Sequence, residues 1–249
     1  MRRCRVITYT DVHIHLLYGM DDGPKAPKDM EALLKDAARN HVECVVVTPH
    51  IVPGIEPFDC KKYRHVLTEA HSLGKRMTPP VEVCGGAEIL YSPMTCDMLR
   101  DGRIPTLAGT DIVLVEFSPS VSYRRMQQAI NDIVGCGFLP MLAHVERYRC
   151  FVECPILAKR LKKDQTVLYQ VNATWFLRRQ NLPQRWFLHT LVKNRLIDAV
   201  GSDAHSCNTR PIRLKEAYPT IKKICGEDYA RELTDGSVLF RNDRYGSIR

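Results

Sequence analysis

Short apolar runs rich in Val and Ile alternate with helical patterns along most of this chain, and this alternation constrains its fold more than any other feature. Strands are predicted at 6–14, 43–48, 81–85, 112–116, 138–143, 166–171 and 196–200. Helices are predicted at 28–40, 63–76, 123–134, 155–163, 183–194 and 211–224, with a last strand at 237–241. Alternating strands and helices form a parallel sheet with the helices outside it. About seven such units favour an α/β fold of the (β/α)7-type barrel class over an open sheet.

The length and composition are those of an ordinary globular protein. The chain has 249 residues, of which 45% are apolar and 26% charged, which excludes a disordered or collagen-like chain. We expect a single domain over 1–249, with an N-terminal extension at 1–9 and a tail at 242–249. No apolar run approaches the ~18 residues of a membrane span, and no signal-peptide core follows the basic N-terminus. We therefore expect a cytoplasmic protein without membrane insertion.

Ten cysteines and a formal charge of +8 each allow more than one interpretation. The cysteines include no CxxC pair and several lie inside apolar runs, which predicts reduced thiols rather than a disulfide framework. The positive charge could indicate nucleic acid binding. The basic residues are scattered over mixed segments, however, so a solvated surface is the better interpretation and we expect no nucleic acid partner. The charge is compatible with an anionic substrate.

Metal-ligating side chains recur where the predicted strands end. In a parallel α/β barrel these ends converge on the face that carries catalytic residues. Two residues at i and i+2 of a strand point to the same side, so a pair such as His13 and His15 can reach one cation. Imidazole and carboxylate ligands without thiolate suit Zn, Mn or Fe. The residues concerned are His13, His15, His50, Glu88, Glu116, His144, Asp203 and His205.

Several short motifs occur in order along the chain. They are DVHIH at 11–15, DDGPK at 21–25, TPH at 48–50, GAEI at 86–89, RIPTL at 103–107, VEF at 115–117, AHVERY at 143–148 and SDAH at 202–205. Together they resemble the PHP superfamily, and most closely its branch of bacterial metal-dependent protein-tyrosine phosphatases from capsular and exopolysaccharide gene clusters. The sequence departs from that branch at Ile51 to Gly54, which are more apolar, and at Ser206-Cys207, which replace an Asn-containing stretch.

The resemblance implies a distorted (β/α)7-type barrel with three divalent metal ions, of which Mn is favoured and Fe, Zn or Mg are alternatives. It assigns the first ion to His13, His15, Glu88 and Asp203, the second to Glu88, Glu116 and His144, and the third to Asp22, His50 and His205. It also implies that Arg147 and Arg210 bind the substrate phosphate. The four carboxylates and three cations leave net positive charge, which favours a phosphate dianion. A metal-bridging hydroxide would be the nucleophile.

The expected activity is hydrolysis of phosphotyrosine on the tyrosine-rich tail of a bacterial tyrosine kinase that controls polysaccharide export. A small-molecule phosphatase of the histidinol-phosphate type is the alternative within the superfamily, and a metal-free binding module or a nuclease are alternatives outside it. A cysteine mechanism is a further alternative, because Cys154 to Arg160 and Cys207 to Arg213 each match Cys-x5-Arg. Neither has a glycine-rich interior able to cradle phosphate. The sequence leaves the oligomeric state open.

Overall fold

Parallel strands form the centre of the molecule, which a computed structural model describes over residues 7–240. The predicted tail, and all but the end of the predicted N-terminal extension, lie outside this range. Within it the strands are β1 (Tyr9–Ile14), β2 (Val42–Val47), β3 (His50–Ile51), β4 (Glu82–Cys84), β5 (Glu88–Leu90), β6 (Ile112–Glu116), β7 (Leu139–Leu142), β8 (Leu168–Asn172) and β9 (Ala199–Gly201).

The strands occupy seven positions around a distorted barrel. The strand orders are β1-β2-β4 and β3-β5-β6-β7-β8-β9, and all pairs are parallel. β2 and β3 lie in line across Thr48-Pro49, and β4 and β5 lie in line across a short break that contains Gly86. Pro49 separates β2 from β3 because proline has no backbone N–H to donate to a neighbouring strand. A Cβ at Gly86 would lie 3.0 Å from Val47 O, so a larger residue at the second break would have to displace its neighbours slightly.

The barrel closes between its first and last strands. The His15 N–H donates to Ala204 O at 2.9 Å, and the Asp203 N–H donates to His13 O at 2.8 Å. The two strand groups therefore form one ring, and the expected (β/α)7-type barrel is confirmed. These closing hydrogen bonds also bring the residues after β9 beside those at the end of β1.

Helices cover the outside of the barrel and follow the predicted pattern. Met30, Leu33, Leu34, Ala37 and Ala38 form the buried stripe of the first helix, as their spacing predicts. No helix within 7–240 is long and apolar enough to cross a membrane. The helices are α1 (Pro27–Arg39), α2 (Cys60–Gly74), α3 (Thr95–Arg100), α4 (Tyr123–Gly135), α5 (Arg149–Glu153), α6 (Ile156–Asp164), α7 (Ala173–Leu177), α8 (Leu182–Lys193), α9 (Leu214–Cys225) and α10 (Glu227–Thr234).

The strand predicted at 237–241 is wrong for the residues that the structure describes. Ser237–Phe240 form a 3-10 helix, and Arg241 lies outside the described residues. Val238 and Leu239 pack with Val12, Leu114 and other residues in a cluster inside the barrel. Because the barrel is closed, it offers no free sheet edge to a further strand. The segment instead fills the barrel interior with its apolar side chains.

Candidate metal centre

All nine side chains assigned to metals in the sequence analysis meet at the carboxyl ends of the strands. They come from six different strand ends, so the closed ring of strands holds the group together. Six of the nine residues are buried. By element, His13 lies in β1, His15 and Asp22 follow β1, His50 lies in β3, Glu88 in β5 and Glu116 in β6, His144 follows β7, and Asp203 and His205 follow β9.

Four of these side chains form the deepest cluster. His13 Nε2 and His15 Nε2 lie 3.3 Å apart, and each lies 3.2 Å from Glu88 Oε2. Asp203 Oδ1 completes the group at 3.7 Å from His13 Nε2 and 3.6 Å from His15 Nε2. These are the four residues that the resemblance assigns to one ion. Their ligand atoms therefore surround one point.

A second cluster shares Glu88 through its other oxygen. His144 Nε2 lies 2.8 Å from Glu88 Oε1 and 3.5 Å from Glu116 Oε2. His50 Nδ1 also faces this cluster, at 3.3 Å from both Glu88 Oε2 and Glu116 Oε1. Glu88 therefore lies between the first two clusters, as a carboxylate that bridges two ions would.

The third cluster is the most exposed. His205 Nε2 lies 3.1 Å from Asp22 Oδ1, and His50 Nε2 lies 3.6 Å from the same oxygen. His15, Asp22, His50 and His205 each have a ligand atom within 4.8 Å of the others. The His50 ring thus turns one nitrogen towards the second cluster and the other towards the third.

The charges in the centre stabilise one another without a metal ion. Burial opposes protonation of His13, but Glu88 and Asp203 outweigh it and raise the pKa to about 9. His50 is affected in the same way by Glu116 and Glu88, and its pKa is also about 9. His205 differs, because burial and the nearby His15 and Arg210 charges lower its pKa to about 4. In the metal-free chain, protons on His13 and His50 therefore balance the buried carboxylates.

Two buried ligand atoms suit a cation. Glu88 Oε2 and His205 Nε2 form no hydrogen bond within 7–240, although Glu88 Oε2 lies 3.2 Å from both His13 Nε2 and His15 Nε2, and His205 Nε2 lies 3.1 Å from Asp22 Oδ1. Buried polar atoms are rarely left unpaired, because desolvation then goes uncompensated. A cation would use these lone pairs. The histidine and carboxylate donors suit Mn, Fe or Zn, and carboxylates also bind Mg.

Both predicted phosphate-binding arginines lie at the rim of the centre. Arg147 Nη2 contacts Asp203 Oδ2 at 2.5 Å, and Arg210 Nη2 contacts Asp203 Oδ1 at 2.7 Å. Each side chain is 40% exposed, so each guanidinium faces both the carboxylate and solvent. Arginine offers planar pairs of donors that match phosphate oxygens. The position of the two side chains is compatible with phosphate binding above the ligand cluster.

Two amide side chains on β8 connect ligands from three strands, and they were missed from the sequence. Gln170 Oε1 accepts from the His144 N–H at 2.7 Å and lies 3.1 Å from His13 Nδ1. Gln170 Nε2 donates to Asn172 Oδ1 at 2.9 Å, and Asn172 Nδ2 donates to Asp203 Oδ2 at 2.8 Å. His13 must then donate through Nδ1, which leaves Nε2 free to ligate.

Asp21 was also missed, although it adjoins Asp22. Its Oδ2 lies 2.7 Å from His15 Nδ1 and accepts from the His50 N–H at 3.1 Å. Burial raises the pKa of this carboxyl, but the His15 interaction outweighs burial and lowers it to about 2. Asp21 therefore holds the His15 ring with Nε2 towards the first cluster.

Two ligands occupy left-handed backbone conformations that are uncommon for residues other than glycine. His144 has φ 35° and Asp203 has φ 55°. Such conformations cost on the order of 1 kcal/mol and occur at functional sites where the surroundings enforce them. The hydrogen bonds from the His144 N–H to Gln170 and from the Asp203 N–H to His13 O enforce them here.

The structure gives no support to either cysteine match. Cys154 directly follows α5 and belongs neither to the ligand clusters nor to the linings of the cavities beside them. Cys207 lines a cavity of about 390 Å³ together with Asp22, His205 and Arg210, but burial raises the pKa of its thiol. A nucleophilic cysteine needs a lowered pKa. The nine cysteines within 7–240 are all unbridged.

The fold and the site define an α/β barrel with a candidate multinuclear metal centre at the carboxyl ends of its strands. The chain belongs to the family described as capsular polysaccharide synthesis, CpsB/CapC, whose model matches residues 9–238. It is 28% identical over 227 residues to the tyrosine-protein phosphatase CpsB of Streptococcus pneumoniae, covering 90% of this chain and 93% of the relative.

Solved structures agree with this assignment. The chain matches one from the crystal structures of Bacillus subtilis YwqE and S. pneumoniae CpsB, which are described as unique metal-dependent tyrosine phosphatases, with a TM-score of 0.83 and 27% identity over 94% of both chains. It also matches the histidinol phosphate phosphatase of Lactococcus lactis with a TM-score of 0.57 and 14% identity, over 87% and 93% of the two chains, which shows a shared fold alone. The resemblance inferred from the motifs is thereby confirmed.

Proposed function

We propose that this protein is a metal-dependent tyrosine phosphatase that hydrolyses phosphotyrosine in proteins. The observation that carries the proposal is the convergence of five imidazoles and four carboxylates at one end of the barrel, in a chain of the CpsB/CapC family. The names of the relatives support the substrate class. The proposal includes three divalent ions, with Mn favoured.

The ligand geometry supports a division of the nine residues among the ions. His13, His15, Glu88 and Asp203 would hold one. Glu88, Glu116 and His144 would hold a second, and the rest, Asp22, His50 and His205, a third. His50 Nδ1 also lies within reach of the second group. When bound, the ions would supply a hydroxide nucleophile at neutral pH and positive charge for the phosphate oxygens.

The chain's own residues would position the phosphate and the ligands. Arg147 and Arg210 would turn from Asp203 towards phosphate oxygens and hold them through paired N–H donors. Gln170 and Asn172 would keep His13, His144 and Asp203 in their ligating orientations. No side chain would need to bond covalently to phosphorus. Catalysis would depend on positioning and electrostatic stabilisation.

The proposed substrate is a phosphorylated tyrosine kinase with a tyrosine-rich tail, and the proposed role is control of capsular or exopolysaccharide synthesis. The family description, capsular polysaccharide synthesis, supports this role. Such a kinase would present its tail in the cytoplasm, so a cytoplasmic location is part of the proposal. Cell fractionation would test it.

The test is a phosphatase assay on chelated protein resupplied separately with Mn, Fe, Zn and Mg. A phosphotyrosyl peptide and histidinol phosphate are compared at equal concentrations. We expect metal-dependent turnover of the peptide and at least tenfold lower kcat/KM for histidinol phosphate. Preference for histidinol phosphate would favour the small-molecule alternative. Full activity in the metal-free protein would contradict a metal mechanism.

A further inference from the structure

A groove leads from the candidate metal centre along the loop that follows β3. Two adjoining cavities form it. The first, of about 240 Å³, is lined by residues that include His50, Met20 and Lys62. The second, of about 370 Å³, contains none of the nine candidate ligands in its lining; it has the apolar side chains of Ile55, Phe58, Met94 and Met98, with Glu56 and Arg103 as its charged residues. Glu56, Pro57 and Phe58 line both, so the two cavities adjoin along these residues, and the inner one reaches the ligand His50.

The loop that follows β3 and lines the groove packs against the residues beneath it. Ser92 Oγ donates to Pro53 O at 2.7 Å. Gly54 has φ +77°, and a Cβ there would lie only 2.3 Å from Met94 Sδ, so the glycine permits direct packing on Met94. Asp59 then begins α2 by accepting from the Lys61 and Lys62 N–H groups. The wall of the groove is therefore fixed at both ends of the loop.

The outer cavity exposes apolar surface that no described residue covers. Ile55 is 75% exposed and Met94 is 44% exposed, whereas Met98 is buried at 7% and contributes the floor. A single exposed isoleucine is ordinary, but apolar side chains gathered in a concave site next to a catalytic centre mark a ligand-binding subsite. Methionine is flexible and adapts to aromatic or aliphatic partners.

We propose that the outer cavity binds an apolar or aromatic side chain that flanks the phosphotyrosine in the substrate protein. This inference rests on the proposed function and specifies the substrate class further. The groove starts at His50, so a peptide whose phosphate lies on the centre can run along it at about 3.3–3.6 Å per residue. The inner cavity lies between His50 and the outer cavity and would hold the intervening peptide backbone. The apolar loop at Ile51 to Gly54 leads the chain into this subsite.

The test compares phosphotyrosyl peptides on the metal-loaded enzyme. In the reference peptide all positions from −3 to +3 are serine, and in each of the others one position is leucine or tyrosine. We expect one or two positions at which the apolar residue raises kcat/KM roughly tenfold, the effect of half-burying one such side chain. Equal kcat/KM for all peptides would overturn the proposed subsite and would not affect the phosphatase proposal.

Variants identify the cavity as the source of the preference. Ile55→Ser and Met94→Gln change exposed side chains, and the thermal midpoints of both variants are measured to verify folding. In each variant, we expect the ratio of kcat/KM for the apolar peptide to kcat/KM for the serine peptide to fall from roughly tenfold to below threefold. The matched control is Leu182→Ser, because Leu182 is 77% exposed on α8 and outside the groove; it should keep the full ratio. An unchanged ratio in both groove variants would overturn the proposal. Absence of turnover with every peptide would defeat the phosphatase proposal and this inference with it.

Discussion

Replacement of Gln170 by leucine should weaken metal binding although Gln170 is not itself a ligand. The side chain is fully buried on β8. Its Oε1 accepts from the His144 N–H at 2.7 Å and pairs with His13 Nδ1 at 3.1 Å, and its Nε2 donates to Asn172 at 2.9 Å. Leucine has a similar size but makes none of these contacts. Two ligands would lose an orienting partner, and the left-handed backbone at His144 would lose the bond that holds it.

The magnitude follows from the groups left unpaired. Two donors and one acceptor become buried without partners, at about 1–3 kcal/mol each, so the free energy of unfolding should fall by roughly 3–9 kcal/mol. Loss of such orienting contacts lowers metal affinity about 10- to 100-fold. Gln170→Glu keeps an oxygen that accepts from the His144 N–H and from His13 Nδ1. Its free energy of unfolding and its metal affinity should both fall less than in the leucine variant. It serves as the variant that stays folded if leucine proves too destabilising.

The assay is a competition titration of the chelated protein against a chromophoric chelator, with Mn, at fixed pH. Thermal unfolding is measured on the same samples. Gln165→Leu is the matched control, because within 7–240 the Gln165 side chain bonds Gln127 and Asn131 and none of the candidate ligands, so the change should leave metal affinity unchanged. A folded Gln170→Leu protein with wild-type metal affinity would refute the positioning role.

Three further predictions concern the rim arginines, the thiols and the protons of the centre. Arg147→Ala and Arg210→Ala should keep full metal content but lose about ten- to a hundredfold in kcat/KM, since each removes a charge-assisted contact of roughly 1.5–3 kcal/mol; wild-type kinetics in both would exclude phosphate binding there. Cys154→Ser and Cys207→Ser should retain turnover, and loss of activity with metals intact would revive the cysteine mechanism. In the metal-free protein the pKa of His13 is about 9, because neighbouring carboxylates outweigh its burial. This pKa lies above the ordinary value of about 6.5, so metal-free stability should fall as the pH rises from about 6.5 through 9, and metal binding at pH 7 should release protons. Calorimetry in buffers of different ionisation enthalpy would detect that release, and its absence would contradict protonation of the centre.

The main elements of the barrel could be predicted because their signals are local. Apolar runs such as that of β6 and the helical stripe of α1 persist over enough residues to be distinctive. β3 and β5 were missed because they have two and three residues, and pairing with neighbours defines them rather than their own composition. α10 was overlooked, although its apolar spacing at Tyr229, Ala230 and Leu233 was a usable signal.

The ligand set was predictable for a different reason. Histidines and acids at strand ends are unusual in an apolar context, and the motifs identified Asp22, which lies in a loop. Gln170 and Asn172 also end a strand, but neutral amides in a buried strand carry no distinctive signal. Their function depends on contacts to His13, His144 and Asp203, which are distant in sequence. The contact of both arginines with Asp203 likewise depends on tertiary structure.

The central claim is that the nine residues form a three-metal centre. The most direct test is an anomalous difference map from crystals of the Mn-loaded protein. We predict three peaks within ligand distance: one among His13, His15, Glu88 and Asp203, one at Glu116 and His144, and one at Asp22 and His205. No peak in this cluster, in crystals of protein that hydrolyses a phosphotyrosyl peptide, would contradict it.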